Sequence, residues 1–203
     1  MVEKEISIFF ATSNQNKINE AKSILQPVGY KIEQLLISGD PPRFIEPKTL
    51  GIEQVAISKI SQARRMLKNS NLINKPILVE DSGIFINSLD NFPGARSSEV
   101  ENEIGIDGIL KLLQGVEDRR AEYRAVAVID FGNKTFKSIG VWKGKISRSA
   151  LGNNGFGFDP IFIPHNSDGR TCGQMKKEEK DDLSHRNKAL KNLSRMIKSR
   201  QSE

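Results

Sequence analysis

A chain of 203 residues, 37% hydrophobic and 28% charged, has the size and balance of a soluble domain with a substantial core. It contains no apolar run near the ~20 residues that span a bilayer, and its one cysteine, Cys172, excludes an intrachain disulfide and a multi-cysteine zinc site. The net charge of +6 invites a nucleic-acid partner, but residues 176–203 alone hold nine Lys/Arg against five Asp/Glu, so the body carries no basic stripe.

The polar, acid-bearing start Met1-Val2-Glu3-Lys4-Glu5 does not read as a targeting segment. A cytoplasmic protein without membrane or nucleic-acid partners is expected. In chain order, Ile6 to Ala11 predicts a strand, and Thr12 to Lys17 a polar turn into a helix through Ile18, Ala21, Ile24 and Leu25 that Pro27 and Gly29 stop. Tyr30 to Ile37 predicts a second strand, Gly39 to Pro47 a loop, and Leu50 to Leu67 a helix with apolar residues at helical spacing. Ile77-Leu78-Val79 reads as a short buried strand ending in two adjacent acids, Glu80 and Asp81, with a tight turn at Ser82-Gly83 before Ile84-Phe85-Ile86. Asn91 to Ala95 is rich in turn residues, and Ile104 to Leu113 is a weaker helix. Tyr123 to Ile129 and Thr135 to Trp142 predict two strands joined by a hairpin at Asp130 to Lys134. A loop with three glycines spans Gly152 to Gly157, Ile161 to Ile163 is a short apolar run, and a final helix starts near Ser184. Strands and helices mix throughout without a linker or repeat, so one α/β domain over residues 1–203 with a mixed sheet is expected.

Four stretches carry chemistry. Acids where a buried strand ends are costly unless paired or bound to metal, although an ordinary acidic turn would also place them there. The Thr12 to Lys17 turn aims backbone N–H groups and a helix's positive end at one point, which suits phosphate, as simple capping by Ser13 or Asn14 would also explain. Gly155-Phe156-Gly157-Phe158-Asp159-Pro160 places rings between glycines, suited either to stacking on a nucleobase or to filling a core. Ser184 is a good N-cap, which sets His185 and Arg186 in the first helical turn. Arg186 opposes the helix dipole there and so is expected to serve something else, such as an anionic ligand, while His185 is expected to lean neutral. A surface His and Arg on a basic helix is the plainer alternative.

Together these residues resemble a known family. Thr12-x-Asn14-x-x-Lys17-x-x-Glu20, Glu80-Asp81-Ser82-Gly83, Phe92-Pro93-Gly94, Gly155 to Phe162, and Lys180 followed by Ser184-His185-Arg186 occur in the order seen in the Ham1/inosine triphosphatase family, over residues from about 6 to 197. The resemblance implies a long mixed sheet flanked by helices, two lobes with an active-site cleft between them, and a homodimer. It implies Mg²⁺-dependent hydrolysis of ITP, dITP and XTP to the monophosphate and pyrophosphate. It assigns the triphosphate to Thr12, Ser13, Asn14, Gln15, Asn16 and Lys17. Asp81 is then the proton acceptor and a metal ligand, Glu46 the second ligand, and Ser82 a substrate contact. Phe156, Gly157, Phe158 and Asp159, with His185 and Arg186, enclose the base, and Lys180 reaches the substrate. The chain departs from the family pattern at Val55, Phe158, Gln174 and Asp181. Phe158, where Tyr or Trp is common, keeps a stacking face without a polar tip.

Cutting between the α and β phosphates needs positioning and charge neutralisation more than covalent chemistry. A Maf-type pyrophosphatase is the nearest rival, but its first loop is expected to read Ser-x-Ser-x-x-Arg. A basic RNA-binding module would leave Glu80, Asp81 and the separated nucleotide motifs unexplained.

Overall fold

The computed structural model describes residues 6–201. Strands β1 (Ile6–Phe10), β2 (Tyr30–Gln34), β3 (Ile77–Ile86), β4 (Arg120–Asp130), β5 (Thr135–Ile146) and β6 (Phe162–Pro164) form one sheet in the order β2-β1-β3-β4-β5-β6. β1 pairs parallel with β2 and β3, and the pairs from β3 to β6 are antiparallel. The helices are α1 (Gln15–Leu25), α2 (Ile52–Met66), α3 (Ser97–Glu103), α4 (Gly105–Leu112), α5 (Lys177–Leu183) and α6 (His185–Gln201). The expected mixed sheet flanked by helices is thus the fold observed. No described helix is long and apolar enough to cross a membrane.

β3 organises the core because side chains alternate across a strand. Leu78 packs with Ile18, Ala21, Leu190 and Leu193 of α1 and α6, while Ile77 and Val79 pack with Ala56, Ile60 and Ala63 of α2. Farther along, Ile84 and Ile86 join Ile109, Trp142 and Phe162 in a third apolar cluster. The strand is therefore buried on both faces, as its near-continuous apolar sequence requires.

The structure corrects the turn expected at Ser82-Gly83. β3 runs unbroken to Ile86, and Glu80 to Ile86 pair in continuous register with Ala127 to Ala121 of β4. The full ladder outweighs the local turn preference of Ser-Gly. Gly83 is required for a different reason: a Cβ there would lie 2.0 Å from the Gly94 carbonyl oxygen and 2.8 Å from Ser97 Oγ. Overpacking typically costs about 1–3 kcal/mol and more against unyielding backbone. Gly83→Ala is expected to lower stability by about 3 kcal/mol or more, read as the midpoint of urea unfolding; an unchanged midpoint would show that the 94–97 segment yields freely.

Other boundaries moved for similar reasons. β2 stops at Gln34, where its parallel partner β1 ends and Leu35 N–H turns to the Phe10 carbonyl. The hairpin at Asp130 to Lys134 forms as expected, closed by Phe131 N–H donating to Lys134 O, but both its strands extend beyond their apolar stretches because they pair with each other throughout. The expected helix over 104–113 is observed as α4; α3, which the sequence pattern does not announce, precedes it, and the two are separated at Ile104, before Gly105 with φ 61°. α5 arises in the charged stretch before Ser184, where apolar spacing carried no signal; there the Glu179 carboxylate accepts from Lys176 N–H at its N-terminus.

Candidate active site

The alternation that builds the core also separates the two acids. Glu80 and Ser82 project toward α1 and α6, and Asp81 projects toward α2. Glu80 is only 2% exposed and meets Lys17 Nζ at 2.7 Å and Arg186 Nε at 3.3 Å. Burial opposes its charge, yet Arg186 and Lys17 outweigh burial and hold its carboxyl at about 2. Asp81 Oδ1 accepts from Lys59 Nζ of α2 at 2.7 Å, and the same ammonium lies 3.0 Å from Glu46 Oε1. Asp81 Oδ2 is buried without a hydrogen-bond partner. Burial raises the Asp81 carboxyl above its ordinary value, against Lys59 and Lys17. Burial also opposes the charge on Lys59, but Asp81 and Glu46 hold that ammonium above its usual value.

The turn after β1 is self-capped. Asn14 Oδ1 accepts from the N–H groups of Asn16 at 2.9 Å and Lys17 at 3.2 Å, and Thr12 Oγ1 accepts from Asn14 N–H at 3.1 Å. The capping expected of Asn14 is therefore present, and it occupies amides that an anion would otherwise use. The Thr12 and Ser13 side chains border the same turn, as does the Lys17 ammonium, which is already paired with Glu80.

At the far wall, Asp159 is 2% exposed; its Oδ2 accepts from Phe156 N–H at 2.8 Å and from Lys180 Nζ at 2.5 Å. Burial raises the Asp159 carboxyl, with Lys180 pulling against it. Lys180 Nζ also sits 4.4 Å from the Phe156 ring centroid, a cation–π contact. Phe156 is partly exposed, whereas Phe158 is 2% exposed and packs in the third apolar cluster. His185 stacks on Tyr123 with ring centroids 4.7 Å apart and planes 9° from parallel. Burial, with Arg186 adding positive charge, holds His185 well below its ordinary value, which favours the neutral imidazole. Ser184 Oγ accepts from Asn187 N–H as an N-cap should.

The anions that Arg186 meets belong to the protein rather than to a ligand. Its Nη1 donates to Glu20 Oε2 at 2.5 Å and its Nη2 to Ser82 Oγ at 3.1 Å, beside the contact with Glu80. A guanidinium this deeply buried needs partners of its own before any ligand arrives.

One cleft of about 310 Å³ gathers Thr12, Ser13, Asn14, Lys17, Glu46, Asp81, Ser82, Phe156, Gly157, Phe158, Asp159, Lys180, His185 and Arg186. Gln15 and Asn16 do not line it. The Gln15 amide turns along α1 to Asn19 Oδ1, and Asn16 lines a neighbouring cavity on the other side of Phe156. Helical geometry explains both, since α1 is already running and side chains one or two positions before Lys17 point elsewhere. The sequence reading also missed residues in the cleft. Lys59 falls at a core position of α2 between Val55, Ala56, Ile60 and Ala63, where a lysine needs a partner; that signal was available. Lys48 and Tyr123 gave none.

Among the described residues no group of three or more His, Cys, Asp or Glu side chains could hold a metal ion. Two carboxylates do meet, however, on the single ammonium of Lys59, and the unpartnered Asp81 Oδ2 is the kind of oxygen a cation satisfies. Mg²⁺ commonly takes one or two carboxylates and completes its shell with water and phosphate oxygens, so Asp81 and Glu46 fit that ion.

Comparison with known proteins finds relatives along nearly the whole chain. Residues 8–196 match the model of the Ham1 family. A Pyrococcus horikoshii protein named dITP/XTP pyrophosphatase is 42% identical over 193 residues, covering 95% of this chain and 97% of its own. A Hyperthermus butylicus protein of the same name is 37% identical, covering 94% of each chain. The solved Ham1 protein of Staphylococcus aureus superposes with a TM-score of 0.80 at 30% identity, covering 96% of this chain and 99% of that one. With its fold and nearly its whole length matched, the chain belongs to the Ham1 family.

Proposed function

We propose that this chain is a nucleoside-triphosphate pyrophosphatase that hydrolyses ITP, dITP and XTP to the monophosphate and pyrophosphate, clearing deaminated purines from the nucleotide pool. The observation that carries the reading is the pair of environments on β3: Glu80 is locked in ion pairs, while Asp81 keeps a buried, unpaired oxygen in the same cleft as Lys17 and Phe156.

Water attacks the α phosphorus and pyrophosphate leaves. Asp81 accepts the water's proton, a role suited to a carboxyl whose burial makes it more basic. Lys59 holds the Asp81 carboxylate in place, and Lys17, with the Thr12 and Ser13 hydroxyls, offsets charge on the phosphates. Asp81 and Glu46 would hold Mg²⁺, which when bound neutralises phosphate charge and acidifies a coordinated water.

Phe156 offers its ring to the base, and Asp159 fixes the loop beneath it. Lys180 and Arg186 can only donate hydrogen bonds. They suit the 6-keto oxygen of hypoxanthine or xanthine, whereas the 6-amino group of adenine would set donor against donor. Mispairing of buried polar groups of this kind supports discrimination of about 10⁴-fold. A pyrophosphate-release assay with Mg²⁺ is expected to show ITP, dITP and XTP turned over with kcat/KM roughly 10⁴ above ATP. Comparable values for ITP and ATP would reject the base pocket as assigned. The enzyme is further read as a cytoplasmic homodimer, a state that sedimentation would test.

A further inference from the structure

A nucleoside triphosphate is a polyanion, so its groove must supply cations that are free to meet it. Five basic side chains line this cleft: Lys17, Lys48, Lys59, Lys180 and Arg186. Four of them are committed to buried carboxylates, since Glu80, Asp81, Asp159 and Glu20 are 2%, 6%, 2% and 4% exposed. Drawing a cation away from such a partner leaves a buried charge uncompensated.

Lys48 differs. Its ammonium lies 2.8 Å from Glu99 Oε1 and 3.4 Å from Glu46 Oε2, and the Glu99 side chain is 42% exposed. Glu99 also accepts from Arg96 Nε at 3.0 Å, so it keeps a charged partner when Lys48 leaves. The Lys48 side chain itself is 19% exposed, but a pair with one exposed partner costs less to break than one between two buried groups. Through Glu46 the ammonium is linked to Lys59, which also holds Asp81, the proton acceptor in the reaction proposed above.

We propose that Lys48 is a phosphate-binding residue, its ammonium exchanging between Glu99 in the empty groove and a phosphate oxygen of the bound triphosphate or of pyrophosphate. Glu99 is then a built-in competitor for that cation. The inference rests on the pyrophosphatase reading for its substrate, and its test separates the two.

In the full chain, Lys48→Met is expected to raise KM for ITP and the inhibition constant of inorganic pyrophosphate about tenfold, with kcat changed far less. Lys48→Arg, which keeps the charge, should retain most pyrophosphate binding. Glu99→Gln should shift both constants the other way by about two- to threefold, because the competing carboxylate is gone. If the Lys48–Glu99 contact were only a strap between the 48–50 segment and α3, both neutral variants would weaken binding alike, and that result would overturn the inference. Calorimetric binding of pyrophosphate to the same variants reads Lys48 without turnover. Inactivity of the wild type on ITP would sink the assigned reaction, whereas an unchanged pyrophosphate affinity in Lys48→Met would sink this one.

Discussion

Asp81→Asn is expected to lower kcat for ITP by about 10³-fold or more while changing nucleotide affinity only a few-fold. The amide keeps the shape of the side chain and leaves Lys59 in contact with Glu46, so the walls of the cleft remain in place. What it removes is the ability to take a proton from water. The wild-type kcat should also fall on the acid side, with its inflection above the ordinary aspartate range because burial raises Asp81. The variant should lack that limb. Pyrophosphate release across a pH series, with equilibrium nucleotide binding measured in parallel, decides the matter. A variant retaining most of its kcat would remove Asp81 from the mechanism.

The neighbouring acid should behave in the opposite way. Glu80→Gln is expected to cost about 3 kcal/mol of stability at neutral pH, because it deprives Lys17 and Arg186 of a buried counter-charge. The pH dependence follows from the depressed carboxyl. Held at about 2 in the fold against an ordinary 4.5, Glu80 stabilises the native state fully above pH 4.5 and loses that contribution as the pH falls toward 2. The gap corresponds to about 3 kcal/mol at 1.36 kcal/mol per pH unit. Urea unfolding of wild type and variant should therefore show a large difference at neutral pH that shrinks through the acid range. A difference independent of pH would mean that Glu80 contributes by shape rather than by charge. One acid of the pair is thus predicted to govern turnover and the other folding, although they are adjacent in sequence.

Much of this was legible in the chain itself. The apolar spacing of Ile18, Ala21, Ile24 and Leu25 marked α1, and that of Ile52 to Ala63 marked α2, since a 3.6-residue period is local information. The ordered motifs around Lys17, Asp81, Phe156 and His185 pointed to one nucleotide site, and those residues do line one cleft. The turn preference of Ser82-Gly83 is local, and the β4 ladder that overrides it is formed by residues about 40 positions away. The place of Arg186 at a helix N-terminus suggests an anionic ligand, and nothing local shows that Glu20, 166 positions away, already pairs with it.

The sequence alone thus determined which residue types occur, in what order, and on which helical or strand face each can lie, because those properties depend on neighbours a few positions apart. Only the tertiary structure decided what covers each face of β3. The helices α1 and α6 bring Lys17 and Arg186 to Glu80, and α2 brings Lys59 to Asp81, so which carboxylate is neutralised and which keeps a free oxygen depends on long-range packing. Ion-pair choice in a buried cleft is a question of distance and desolvation, and both are properties of the assembled fold.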